Sequence, residues 1–161
     1  MFYLDLFGKL QELEVEYLLI GGLAVSLHGV ERSTMDIDIT VAMQSANLDK
    51  LIACAESLKL KPVLPVPLNS LLDIALLKQW HKEKNLQAFA LRTEEIAGVT
   101  LDILLFPTVG FADMQQRAVR FTVGNTQIKV AAIEDLISLK QSAGREIDLS
   151  DIKHLKKIQS L

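Results

Sequence analysis

The sequence predicts an α+β fold: a mixed β-sheet flanked by helices, with C-terminal helices packed beside it. Three observations predict it. Short apolar runs of strand length, such as residues 17–20 and 99–106, alternate with segments whose apolar residues recur every three or four positions. A glycine pair, Gly21-Gly22, interrupts the first such run and a helical pattern follows, while Gly124-Asn125 between two β-rich runs marks a tight hairpin. From residue 132 onward the pattern is helical to the end.

The elements follow in order. Tyr3, Leu6, Phe7, Leu10 and Leu13 share one face of a first helix. Residues 17–20 form a short buried strand, and 23–28 a helix ended by Gly29. Residues 35–42 form a strand in which Ile37, Ile39 and Val41 alternate with polar positions, and 46–58 a helix. Pro62, Pro65 and Pro67 confine residues 60–67 to an edge or a loop. Residues 69–84 read as one helix with Leu72, Leu76, Leu77 and Trp80 on one face. Residues 87–92 and 99–106 read as strands, and 111–117 as a short helix. Residues 119–123 and 126–130 flank the hairpin turn. The last two helices span 133–142, ended by Gly144, and 149–161, with Leu149, Ile152, Leu155 and Ile158 as the inner stripe. No repeat or linker divides the chain. Residues 1–161 read as one domain, with a sheet-containing core at 1–131, its small sheet towards the N-terminal half. The helical part, 132–161, packs beside the sheet or closes one side of a cleft.

Bulk properties bound the function. Half of the 161 residues are apolar, 23% are charged and the net charge is −3. The pI is about 5.6. A globular fold follows, with enough apolar surface to leave room for a partner interface. An extended grip on nucleic acid is disfavoured, because it calls for a basic excess. Cys54, the one cysteine, sits among Leu51, Ile52 and Leu58 and reads as a buried thiol. With no disulfide possible inside the chain, a reducing cytoplasm is expected. Asp5 interrupts the N-terminal apolar run and no basic residue precedes it, so that run is not a signal peptide. No stretch approaches the roughly 20 apolar residues of a membrane span, and no membrane partner is expected.

The chemistry concentrates in two places. Asp36 and Asp38 lie at i and i+2 of a strand and project to one side, while Ile37 and Ile39 enter the core. Two carboxylates so placed repel, and one pKa rises unless a cation sits between them. Hard divalent cations bind such carboxylates and complete their shell with phosphate oxygens. The Gly21-Gly22 turn offers backbone N–H groups to those phosphates. Metal, phosphate and strand together point to nucleotide chemistry.

Gly21-Gly22, then thirteen residues, then Asp36-Ile37-Asp38, with a later lone acid at Asp102, resembles the nucleotidyltransferase superfamily of the polymerase-beta type. The fuller strings resemble its AbiEii-like branch, the toxins of type IV toxin–antitoxin pairs and their relatives. These strings are Leu19-Ile20-Gly21-Gly22-Leu23-Ala24, Arg32-Ser33-Thr34-Met35-Asp36-Ile37-Asp38, residues 133–140, Ala143-Gly144-Arg145, Asp148 and Asp151. The resemblance covers both ends of the chain and is weaker between. It implies that the glycine turn, Gly21 and Gly22, holds a triphosphate. Asp36, Asp38 and Asp102 would hold two Mg²⁺ ions, and Asp102 would be the general base. Arg32, Ser33, Thr34, Lys140 and Arg145 are the further nucleotide-binding candidates. Relatives commonly carry a Lys-Asp pair where this chain has Ile147-Asp148, which removes one cation near the triphosphate. The second glycine is not the serine of the antitoxin branches.

Plainer roles stand beside these. Asp36 and Asp38 suit an exposed edge strand, Asp102 a strand end facing water, and Gly21-Gly22 a simple turn. Arg32 suits a loop charge, and Ser33 and Thr34 loop formers. Lys140 and Arg145 suit the dipole of a helix C-terminus. Asp148 and Asp151 suit the N-cap and first turn of the last helix. His28 reads as a helix-end residue, and His81 and His154 as solvated. Cys/His zinc spacing is absent from the sequence.

The expected function is Mg²⁺-dependent transfer of a nucleoside monophosphate from an NTP to a hydroxyl on a tRNA end, a protein or a small molecule. A cognate antitoxin is a possible partner. Two alternatives are a non-catalytic nucleotide- or partner-binding module and a small-molecule nucleotidyltransferase of the antibiotic-modifying kind.

Overall fold

A computed structural model describes residues 2–94 and 99–161; Met1, at the head of the N-terminal apolar run, lies outside them. Seven strands among the described residues form one mixed sheet in the order β3-β4-β5-β2-β1-β7-β6. They are β1 (Tyr17–Ile20), β2 (Ile37–Val41), β3 (Lys61–Pro62), β4 (Ala88–Arg92), β5 (Thr100–Leu104), β6 (Val119–Val123) and β7 (Thr126–Val130). β1 pairs with β7 and β2 with β5 in parallel; the other neighbours are antiparallel. The helices are α1 (Phe2–Glu12), α2 (Gly21–Leu27), α3 (Ser45–Ser57), α4 (Ile74–Lys84), α5 (Phe111–Arg117), α6 (Ile133–Ala143) and α7 (Glu146–Gln159).

The α+β class agrees with expectation, but the sheet is wider than the small N-terminal one. The β6–β7 hairpin returns to lie beside β1, through Leu19 opposite Val130. That pairing joins segments over a hundred residues apart, and no local pattern encodes it. The proline-rich segment contributes only the two-residue edge strand β3, as its missing N–H groups dictate.

Ile37 and Ile39 of β2 are fully buried in the core with Leu18, Leu19, Leu101 and Ile103. β2 is pinned at its C-terminal end. Thr40 Oγ1 donates to Leu104 O of β5 at 3.0 Å. The buried Asn47 amide donates to Ala42 O (2.9 Å) and Glu16 O (3.0 Å), and Asn47 Oδ1 accepts from Glu16 N (2.8 Å). Asn47 therefore satisfies the backbone where β1 begins and β2 ends. Such pinning fixes the register of a strand that must present acids on one face and isoleucines on the other.

Two helices depart from their expected course. Residues 69–84 do not form one helix: a 3-10 turn, Leu68–Leu72, ends at Asp73, whose Oδ1 accepts from Leu76 N (3.0 Å) and starts α4. Asp73 competes for the backbone as a cap, and capping wins over the continuous apolar stripe. α7 begins at Glu146, three residues earlier than expected. Its inner face is not the expected stripe: Leu149 points outward, 59% exposed, and Asp148 and Asp151 are buried beside Ile152 and Leu155. α5 is tied to α6 by a fork from Arg117 Nε and Nη2 onto the buried Asp135 (3.0 and 2.8 Å).

Cys54 is buried as expected, and burial pushes its thiol up to about 12, which leaves it inert. No helix among the described residues is long and apolar enough to cross a membrane.

Candidate functional site

A cleft of about 750 Å³ opens between the sheet and α6, and its walls hold most of the residues singled out in the sequence. Gly21, Gly22, Arg32, Thr34, Asp36, Asp38, Asp102, Lys140 and Arg145 all line it. Ser33 does not; its side chain lies exposed in the loop.

The acids come together through register. Ile20 of β1 faces Asp38 of β2, and Asp38 faces Asp102 of the parallel strand β5. Residues opposite one another share a face, so the two carboxyls are neighbours. Asp36 lies one residue before β2, and its Oδ1 accepts from the Thr100 hydroxyl of β5 at 2.8 Å. Sequence reasoning missed Thr100. The available signal was its position two residues before Asp102, on the same face of the same strand.

The electrostatics follow from that crowding. Asp38 is pushed up to about 6 by burial first, then by the charges of Asp102 and Asp36, against weaker relief from Lys140 and Arg145. Asp102 is also raised, by burial and then by Asp36, while a hydrogen bond with Asp38 works the other way. Asp38 is thus the carboxyl that holds a proton in mildly acidic solution. Among the described residues no group of three or more His, Cys, Asp or Glu is arranged to hold a metal ion. The Thr100 hydroxyl occupies one oxygen of Asp36.

The glycine turn is shaped by its neighbours on both sides. Gly21 has φ +72°, and a Cβ there would collide with the Asp38 carboxyl. A Cβ on Gly22 would collide with the Arg32 guanidinium. Gly21 is therefore needed for its left-handed conformation, while a side chain at Gly22 would have to displace the end of the flexible Arg32 side chain. Ser26 Oγ donates to Arg32 O (2.9 Å) and holds the loop over α2.

The cations are less free than the sequence suggests. Arg32 Nε lies 3.0 Å from Asp151 Oδ1, and Lys140 Nζ lies 2.9 Å from Asp151 Oδ2 and 3.5 Å from Asp148 Oδ1. Arg145 Nε and backbone N both donate to Asp148 Oδ2, at 2.7 and 3.1 Å. Burial works against the Asp148 charge, but the Arg145 bonds outweigh it and hold the carboxyl below the usual range. Lys140 is 6% exposed, a buried, paired side chain rather than a helix-end charge in water. Asp148 is not the expected N-cap: Arg145 holds that place, and Asp148, at the third helical position, accepts from the Arg145 backbone N–H because the helix starts at Glu146. Asp151 is no first-turn acid; it joins Arg32 of the loop to Lys140 of α6. The missed signal was the spacing of Asp148 and Asp151 at i and i+3.

His28 ends α2 as expected and its Nε2 donates to Ala131 O (2.8 Å). His81 is half-buried rather than solvated, with Nδ1 donating to Leu86 O (2.7 Å) and its ring against Phe106. His154 is exposed on α7. Ile147, 47% exposed, lines the cleft beside Arg145 and Asp148.

The chain matches no family model and no curated protein. Among solved structures it is similar to LnuA, a lincosamide antibiotic adenylyltransferase with lincomycin bound (23% identity, TM-score 0.60, 98% of this chain and 94% of that one). It is also similar to ANT(2")-Ia in complex with adenylyl-2"-tobramycin (14%, TM-score 0.60, 99% and 91%). A third likeness is to an antigenic nucleotidyltransferase-like protein from Paracoccidioides brasiliensis (19%, TM-score 0.53, 93% and 71%). At these identities the likeness establishes the architecture: the chain has the nucleotidyltransferase, polymerase-beta-like fold.

Proposed function

We propose that the protein transfers a nucleoside monophosphate from a nucleoside triphosphate to a hydroxyl on a small molecule. One observation carries this reading. Asp36, Asp38 and Asp102 crowd one end of the cleft, none of them in an ion pair among the described residues, beside a turn whose Gly21 has positive φ and lies against the Asp38 carboxyl. Nothing in packing the core calls for three acids there.

The donor set suits a hard divalent ion: carboxylate oxygens alone, two of them with pKa values raised partly by mutual repulsion. Asp36, Asp38 and Asp102 are the residues that would hold Mg²⁺, two ions in the fold family's pattern. When bound, it would supply charge stabilisation at the phosphorus and lower the pKa of the attacking hydroxyl. Thr100 competes with any ion for Asp36. The remaining steps belong to the chain. Gly21 and Gly22 let the triphosphate approach the backbone. Arg32, Lys140 and Arg145 face the leaving pyrophosphate. Asp102 takes the hydroxyl proton as the oxygen attacks the α-phosphorus. One O–P bond forms, the bond from the α-phosphorus to the bridging oxygen breaks, and pyrophosphate leaves with that electron pair.

A small-molecule acceptor is favoured by two facts. The solved relatives that the chain spans almost end to end carry lincomycin and adenylylated tobramycin. The chain also lacks a basic excess for nucleic acid. A second reading, a growth-inhibiting toxin of the AbiEii type acting on tRNA or protein, draws support from the convergence of Arg32, Lys140, Arg145, Asp148 and Asp151 in one network.

Isothermal titration with each NTP, with Mg²⁺ and with EDTA, tests the reading. Mg²⁺-dependent binding that disappears in Asp36→Ala/Asp38→Ala is the expected result. Binding that survives both EDTA and the double substitution would remove the nucleotide from this site.

A further inference from the structure

The half of the cleft farthest from the glycine turn differs in chemistry from the rest. Sheet order sets the two halves apart: the turn follows β1, Asp36 precedes β2, Asp38 belongs to it, Asp102 belongs to β5, and β4 lies beyond. Displacement at phosphorus is in line, with the incoming oxygen opposite the leaving one. If pyrophosphate leaves towards the glycine turn and its cations, the acceptor enters over β5 and β4. This step rests on the nucleotidyl-transfer reading above.

The β5–β4 side has its own composition. The floor is Leu104 opposite Ala88, with Phe106 one step further along the chain direction. The small side chain of Ala88 keeps the floor low. Leu139 and Ser142 of α6 form the facing wall. The Thr108 and Ser142 hydroxyls lie 2.9 Å apart and close the far end, and Gln87 Nε2 donates to Asn85 Oδ1 (2.7 Å) at the rim. Among the described residues, the lining from Asn85 to Ala88 and from Leu104 to Thr108 holds no Asp, Glu, Lys or Arg, and Lys140, next to Leu139 on α6, is taken up by Asp151 and Asp148. A polycation would find no counter-ion here beyond the catalytic acids, and a polyanion would meet those acids while the neighbouring Lys140 is already paired. Amides and hydroxyls can orient a hydroxylated group, while Leu104, Phe106 and Leu139 offer an apolar surface.

We infer that the acceptor is a hydroxylated small molecule with an apolar face and little net charge, its apolar face against Phe106 and Leu139 and its reacting hydroxyl towards Asp102.

The test is ligand-detected NMR on the whole protein, with Mg²⁺ and a non-hydrolysable ATP analogue. The probes are hexyl glucopyranoside, methyl glucopyranoside, the aminosugar polycation neamine and a short RNA ending in CCA. The hexyl glycoside is expected to bind at least about tenfold tighter than the methyl one, because its added methylenes leave water. It should also bind tighter than neamine or the RNA. Leu139→Asp and, less strongly, Phe106→Ala should erase the hexyl preference while analogue affinity stays within about twofold, which also reports folding. Tighter binding of neamine or the RNA overturns the inference, and so does a hexyl preference that Leu139→Asp leaves intact. Loss of analogue binding in the wild-type protein, with the hexyl preference retained and still sensitive to Leu139→Asp, refutes nucleotidyl transfer while the apolar hydroxyl-binding wall stands.

Discussion

Two charged regions face each other across this cleft, and they are built on opposite principles. The cations Arg32, Lys140 and Arg145 are answered inside the protein by Asp148 and Asp151, both nearly inaccessible. The acids Asp36, Asp38 and Asp102 are answered by nothing comparable. Thr100 gives Asp36 a hydroxyl, and Lys140 and Arg145 reach Asp38 only weakly. The first region is compensated and holds α6, α7 and the Arg32 loop together. The second is held by strand register and carries an electrostatic cost, visible in the raised Asp38 pKa. A compensated network supports structure; uncompensated acids at a fixed geometry suit a cation from outside. Substitutions should therefore separate the two: changes among the acids should touch turnover, and changes in the network should touch stability.

The largest effect is expected at Asp102. Asp102→Asn keeps the shape and removes the base, so kcat should fall by about 100- to 10,000-fold. NTP affinity at fixed Mg²⁺, measured by titration, should change far less. A kcat within threefold of wild type in a pyrophosphate-release assay would take Asp102 out of the proton-transfer role.

Next comes Asp151. It is buried and bridges Arg32 to Lys140, so Asp151→Ala leaves Arg32 without its partner and Lys140 with Asp148 alone. Breaking a buried pair from one side costs about 3–5 kcal/mol. Urea denaturation should show that loss, and Asp151→Asn, which keeps the volume, should lose less. An Asp151→Ala protein of wild-type stability would mean that the network carries no structural weight.

How much of this was legible in the sequence depends on the range of the interaction. The strands β1 and β2, the glycine turn and the 124–125 hairpin were legible because alternation and glycine conformation are local properties. The set Asp36, Asp38 and Asp102 was legible through family resemblance, and register then makes Asp38 and Asp102 neighbours. The pairing of β7 with β1 was not, since it is settled by which apolar faces meet in three dimensions. The start of α7 was misread because Leu149 fits a heptad-like stripe as well as Ile152 does. Burial of Asp148 and Asp151 wins instead, because Arg32, Lys140 and Arg145 arrive from other segments to meet them. Thr100 was overlooked because a threonine in a strand carries no signal by itself; it matters only through Asp36, 64 positions away.

A third prediction concerns the cost of the acids. A carboxyl whose folded pKa, about 6 for Asp38, exceeds its unfolded value penalises the folded state at high pH. The penalty is complete above about pH 6 and disappears as pH falls through the unfolded value near 4. Asp38→Asn should therefore be more stable than wild type at pH 7, by on the order of 1–3 kcal/mol. The difference should shrink towards pH 4. In thermal melts Mg²⁺ should stabilise the wild type more than the variant. A variant less stable than wild type at pH 7 would show that Asp38 is already satisfied by partners inside the fold.

The smallest effect is expected at Ile147, and it bears on the comparison most directly. With Lys140 and Arg145 engaged by Asp148, the cation side has little charge to spare for a triphosphate. Ile147 sits at the cleft lining, about half exposed, at the position where the sequence resemblance expects a lysine. Ile147→Lys adds a cation at the cleft lining, and Asp151, at i+4 on α7, is already engaged by Arg32 and Lys140. An exposed charge interacting across water contributes about 0.3–1 kcal/mol, so KM for the NTP should fall by roughly two- to fivefold. The gain should fade at high salt, as screening requires, and kcat should hold. A salt-insensitive gain would point to packing of the lysine stem rather than charge. No gain at any ionic strength would mean that Arg32, Lys140 and Arg145 keep enough field for the phosphates despite their pairing, and the compensated region would then count as binding machinery as well as structure.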